Sequence, residues 1–177
     1  MFGRIKPSAD EIAMPLPGDN IIKEPAAVMN RAFSLSATPD QVWPWFVQLG
    51  KNRAGWYFPR RVERFIVPSK RGLRSINPEL QNHKVGQRID DWGGKHGYLE
   101  IVDINQPHFL LYKSTRGKLS MSWVITLWPE PKDRTRVIIR LRMTGIKHIW
   151  FLKFFGELFD ALTIDGLASG LHERLEK

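Results

Sequence analysis

Between residues 84 and 144 the chain alternates apolar and polar side chains, and this stretch restricts the possible folds more than any other. Candidate strands lie at 84–91, 98–103, 108–114, 119–128 and 134–144, with connections as short as Pro129-Glu130-Pro131-Lys132-Asp133. A parallel crossover needs a dozen or more residues, so these connections call for antiparallel hairpins and a meander. In the last strand Val137, Ile139, Leu141 and Met143 share one face, while Arg136, Ile138, Arg140 and Arg142 share the other. Side chains alternate across a strand, so one face is expected to be core and the other a largely charged, solvated surface.

The flanking segments supply helices. Met29, Phe33 and Leu35 alternate with polar or small residues over 27–37, which predicts a first strand. It stops at Thr38-Pro39-Asp40-Gln41, where Thr38 can cap a helix, Pro39 suits the first helical position and Gln41 can reach back to close a capping box. Pro44 inside this helix lacks an amide and should kink it, and Gly50 is a terminator. A second short helix is expected from about Phe58 to Phe65, ending before Pro68. A long amphipathic helix is expected over 149–175, where Phe155, Leu158, Leu162, Leu167, Leu171 and Leu175 recur at helical spacing. Gly156, Gly166 and Gly170 each cost about 1 kcal/mol of helix propensity, so close packing, a break or room for a ligand must account for them. The order is α+β, a single domain over 19–177 preceded by an extended, proline-rich arm at 1–18.

Composition removes several function classes. The 177 residues include no cysteine, which excludes disulfides, thiolate nucleophiles and cysteine-ligated metals, and the five histidines are scattered without ligand spacing. No metal site and no cofactor are expected. Neither a secretory signal nor a span of roughly 18–20 apolar residues is present, so the expected location is cytoplasmic. The net charge of +9 is local: residues 51–74 hold eight basic residues and one acid, Glu63. Such a patch is ordinarily a solvated face, but it suits an anionic membrane or RNA as well.

Several spaced words carry a family likeness: Val42-Trp43-Pro44-Trp45-Phe46-Val47-Gln48-Leu49-Gly50, Arg53-Ala54-Gly55-Trp56-Tyr57, Ile76-Asn77-Pro78-Glu79-Leu80-Gln81 with Val85-Gly86, and 135–142. Over about residues 19–177 the sequence resembles the SRPBCC (START-like, Bet v 1-like) superfamily, and within it bacterial proteins described as polyketide cyclase/dehydratase-like. The resemblance implies a helix-grip fold, a curved antiparallel sheet of about seven strands wrapped around the C-terminal helix, with two short helices after strand one and an apolar cavity between sheet and helix. It also implies binding of lipids, sterols or polyketides, with catalysis in some members. The basic Phe58-Pro59-Arg60-Arg61-Val62-Glu63-Arg64 departs from the more neutral or acidic stretch common in such proteins.

Trp43, Trp45, Trp56, Tyr57, Trp92, Trp123 and Trp128 are each candidates for core or for the wall of a cavity. The residues selected as ligand contacts are Trp45, Arg53, Trp56, Tyr57, Trp123, Ile125, Ile139 and Phe155. Asp90, Asp91, His96, Tyr98 and Glu100 are the candidate acids and bases, though no spacing among them defines a reaction. Gly93-Gly94-Lys95-His96-Gly97 lacks the context of a phosphate-binding loop and reads as a hairpin tip. The leading reading is binding of a small hydrophobic or amphipathic molecule. The second is a cyclase or dehydratase using metal-free acid–base chemistry. The third is contact of the basic 51–74 segment with RNA or, peripherally, with an anionic membrane, nucleic acid being the less favoured partner.

Overall fold

The computed structural model describes residues 5–92, 96–145 and 157–176. Their strands are β1 (Ala27–Leu35), β2 (Arg88–Asp90), β3 (Tyr98–Asn105), β4 (Phe109–Arg116), β5 (Leu119–Glu130) and β6 (Arg134–Thr144). All pair antiparallel in one sheet of order β1-β6-β5-β4-β3-β2. The helices are α1 (Ala9–Ala13), α2 (Pro39–Gln48), α3 (Arg60–Glu63) and α4 (Glu157–Leu175). No described helix is long and apolar enough to cross a membrane.

The described sheet has six strands, not the seven that the resemblance implied. Between α3 and β2 the chain forms two single 3₁₀ turns, Pro68–Lys70 and Pro78–Leu80. A proline at the start of each removes an amide that a ladder would need. Strand β2 is likewise shorter than 84–91, because Gly86 takes a φ of 85° just ahead of it. Elsewhere local signals set the boundaries. Gln41 accepts the Thr38 amide at 3.0 Å at the start of α2, and Pro44 sits inside that helix. The expected 149–156 portion of the last helix, with Gly156 and Phe155, lies outside the described residues.

On the inner face of the sheet Phe33, Leu35, Leu110, Ile125, Val137 and Ile139 form one core with Val42 and Phe46 of α2 and Ile164, Leu167 and Leu171 of α4. Each fully buried side chain of this size contributes about 1.5–3 kcal/mol.

The outer face corrects two expectations. Arg136, Arg140 and Arg142 do point away from the core, but the N-terminal segment covers them. Arg140 is only 4% exposed; its Nε donates to Asn30 Oδ1 at 2.7 Å and its Nη atoms to Asp19 Oδ2 and to the carbonyls of Glu11, Ile12 and Met14. Arg142 donates to the Ile22 carbonyl, and Arg136 makes a two-pronged pair with Glu11 at 2.7 and 2.9 Å. Beneath them Leu16 joins Ala32, Leu111, Val124 and Ile138 in a second, smaller cluster. Nor is the arm wholly extended. Ser8 Oγ accepts the Glu11 amide and Glu11 Oε2 accepts the Ser8 amide, a reciprocal cap that starts α1. Residues 8–23 therefore brace the outer face of the sheet, opposite α4, while Ile5, just ahead of them, is buried with the inner core.

The Arg136 hydrogen bonds hold the Glu11 carboxyl below its ordinary value of 4.5. A carboxyl lowered in the folded state stabilises it above the unfolded pKa, and this contribution fades as pH falls through the folded value. Limited pepsin digestion is expected to show faster cleavage within 5–24 as pH drops below 4.5. In Glu11→Gln the cleavage should already be fast and should vary less with pH; an unchanged pH profile would assign the loosening to another group.

Candidate functional site

The inner face changes character along the strands. Where Ile125 pairs with Ile139 and Leu110 the side chains meet α2 and α4 and the interior is filled. One rung farther, Met29, Leu141, Trp123 and Tyr112 lie side by side across β1, β6, β5 and β4, and past them stand Met143 and Met121. Here the sheet and α4 part around a cavity of about 690 Å³. That volume suits a small organic ligand.

The remaining walls come from three distant segments. Phe159, Asp160, Thr163 and Ile164 of α4 face the sheet, Trp56 and Phe58 close one side, and Ile89 to Trp92 close another. Tyr112 and Trp123 are stacked at 5.5 Å, and Trp56 meets Trp92 edge-on at 5.8 Å. Trp56 is fixed by donating Nε1 to the Thr163 carbonyl at 3.1 Å. Trp92 and Phe159 are both more than half exposed and mark where the cavity reaches solvent.

Gly166 and Gly170 explain how the Trp56 segment comes so close to α4. A Cβ at Gly170 would stand 2.5 Å from the Tyr57 carbonyl oxygen, and one at Gly166 would stand 2.6 Å from the Phe58 ring. Close packing is therefore the reason for both glycines, and the helix runs through them unbroken. Arg174, whose side chain is fully buried, fastens the same segment by donating to the carbonyls of Phe58, Gly72 and Leu73 and to Glu63 Oε1 at 2.8 Å.

The wall is mainly apolar, with a few polar groups. Asp90 accepts from Asn52 Nδ2 at 2.8 Å, Asp91 pairs with Arg116, and Asp160 pairs with Arg31 Nε at 2.9 Å. Burial pushes the Tyr112 phenol well above its ordinary range, leaving a neutral hydroxyl. No carboxylate is hydrogen-bonded to Tyr112, and no three His, Asp or Glu side chains converge to hold a metal, among the described residues.

The structure separates the residues that sequence grouped together. Trp56 and Trp123 are in the cavity wall. Ile125 and Ile139 are on the same face as Trp123, one rung farther from the cavity and inside the filled core. Trp45 and Tyr57 pack edge to face at 5.5 Å in that core, where the Tyr57 hydroxyl donates to the Trp45 carbonyl. Arg53 braces loops, donating to the carbonyls of Val47 and Leu80, and burial holds its guanidinium below its ordinary range. Phe155 and Gly93–Lys95 lie outside the described residues. Among the acid–base candidates, Asp90 and Asp91 reach the cavity. Glu100 bonds Lys113 at 3.0 Å, Tyr98 lies under Arg88, and His96 is exposed. Met29, Leu141 and Met143 also line the cavity; along β6 the alternation that buries Ile139 continues to Leu141 and Met143, and pairing with Leu141 brings in Met29.

Similarity to solved structures is confined to the fold. Protein NE0264 from Nitrosomonas europaea superposes with a TM-score of 0.52 at 14% identity, over 92% of this chain and 98% of its own. A protein from Arthrobacter aurescens gives 0.51 at 16%, over 85% and 87%. Protein CV1439 from Chromobacterium violaceum gives 0.50 at 14%, over 85% and 97%. No family model matches the chain, and no curated protein matches it.

Alanine in mid-helix is ordinarily better than glycine by about 1 kcal/mol. Gly170→Ala is nevertheless expected to destabilise the protein by roughly 1–3 kcal/mol through overpacking, as read from urea unfolding. A stabilised Gly170→Ala would mean that the Tyr57–Phe58 segment can yield at little cost.

Proposed function

We propose that the chain is an SRPBCC-type helix-grip binding domain over 19–177, with the N-terminal segment as its outer brace, and that it holds a small hydrophobic or amphipathic molecule in the cavity beside α4. The observation that carries this reading is the cavity of about 690 Å³, walled by methionines, leucine and stacked aromatic rings. Methionine side chains adapt to irregular apolar shapes, and the Tyr112–Trp123 pair offers a flat surface, a combination suited to a lipid, sterol or polyketide-like skeleton. A neutral Tyr112 hydroxyl and the polar groups near Asp90 and Asp160 can orient one hydrophilic end.

Binding without turnover is better supported than cyclase or dehydratase chemistry. General acid–base catalysis needs a group positioned to move a proton. The three carboxylates of the described wall already bond Asn52, Arg116 and Arg31.

Native mass spectrometry followed by organic extraction is expected to release a stoichiometric apolar compound, or to detect binding when candidate lipids and polyketides are added. Met121→Trp and Leu141→Trp fill the cavity from the sheet side and should each lower affinity by at least about tenfold while leaving circular dichroism unchanged. Undiminished binding by both folded variants would place the ligand elsewhere and remove this function.

A further inference from the structure

We propose that the outer surface of the 60–71 turn is a docking site for membranes containing anionic lipid. Glu63 is the only acid between residues 51 and 74, and the fold turns it inward. Its carboxylate accepts from Arg74 at 2.6 Å and from buried Arg174 at 2.8 Å. What remains outside is cationic: Arg60, Arg61, Arg64, Lys70 and Arg71 are all exposed. Glu173, the acid bordering the turn, is engaged by the Arg60 amide and by Arg74.

Apolar side chains stand among these cations. Phe65 is 79% exposed and Val67 66% exposed, with the Arg64 guanidinium 4.6 Å from the Phe65 ring centre. The turn that presents them is preformed. Ile66 donates its amide to the Glu63 carbonyl at 2.9 Å, Lys70 to Val67 at 2.8 Å, and Arg71 Nε to the Ile66 carbonyl at 2.8 Å. The Glu63 carboxylate anchors this frame from below, so display of the apolar tips requires no ordering on contact.

Charge complementarity and the apolar tips together select the occupant. A bilayer with anionic headgroups offers negative charge at its surface and hydrocarbon just beneath, matching cations that surround a short apolar projection. Single-stranded RNA would be served by several exposed rings for base stacking. This turn has one ring, accompanied by the aliphatic Val62 and Val67. The proposal is independent of what the cavity holds.

Vesicle flotation with the full chain tests it, comparing phosphatidylcholine alone with phosphatidylcholine mixed with phosphatidylglycerol. Binding is expected only to the anionic vesicles and should weaken as salt rises. Replacing Arg60, Arg61 and Arg64 together by Gln should lower binding by roughly a hundredfold, and Phe65→Ser with Val67→Ser by about tenfold. These side chains are exposed, so both variants should retain the wild-type unfolding midpoint. A matched variant replacing Lys23, Lys118 and Lys132 by Gln should bind nearly as well as wild type. Failure to bind anionic vesicles at low salt, equal binding to neutral vesicles, or equal loss in the matched variant would overturn the proposal. So would undiminished binding after Phe65→Ser with Val67→Ser, or tighter capture of polyuridylate than of vesicles at the same salt.

Discussion

The contact between α4 and the backbone of Tyr57 and Phe58 is the constraint on which the rest of the inner architecture depends. At Gly166 and Gly170 the helix offers no side chain, and the incoming segment rests directly against it. Arg174 then secures three carbonyls of the neighbouring loops. Removing the partner of a buried charge costs roughly 3–5 kcal/mol, so this tether is coupled to Glu63 as firmly as to the backbone. The same contact sets the height of Trp56, and hence of one cavity wall, above the sheet. A ligand space and a polar anchor are thus consequences of a single helix surface.

The two faces of the sheet solve opposite problems. The inner face has more apolar surface than α2 and α4 fill, and the surplus opens as a cavity at the Met29–Leu141–Trp123 rung. The outer face carries three arginines on one strand, whose mutual repulsion would favour a solvated surface. The N-terminal segment instead brings Glu11, Asp19 and several carbonyls to them. Arginine suits this use because its planar fork can satisfy several acceptors while its stem covers apolar surface.

Much of the framework could be read from the chain. β6 was expected at 134–144 and runs from Arg134 to Thr144, and the Thr38-Pro39-Asp40-Gln41 start of α2 followed from local capping chemistry. Such features depend on neighbours in sequence. The cavity does not. Whether Ile125 or Trp123 faces empty space depends on where α4 and the Trp56–Phe58 segment stand over that rung, and those two meet at Gly170, more than forty residues away in sequence. Alternation therefore tells which residues share the inner face and cannot tell which of them border the cavity. Burial of Arg140 was hidden for a related reason, since its partners come from Asn30 on β1 and from residues 11–19. The Ser8-to-Glu11 cap is a local signal set among prolines, which by themselves indicate extended chain.

The strand order has a consequence for how the molecule is made. Among the described strands β1 pairs with β6 alone, so Ala27 faces Met143 and Leu35 faces Thr135, partners separated by the whole meander in sequence. During synthesis the first strand emerges long before its partner, and its apolar side must wait while β2 through β5 leave the ribosome. Sheets closed by such distant pairing form slowly, and unpaired edges are sites of misassociation. The central hairpins can assemble from near neighbours, but β1 joins late. Until then, the arginines of β6 and the N-terminal residues that cover them have no common surface on which to meet.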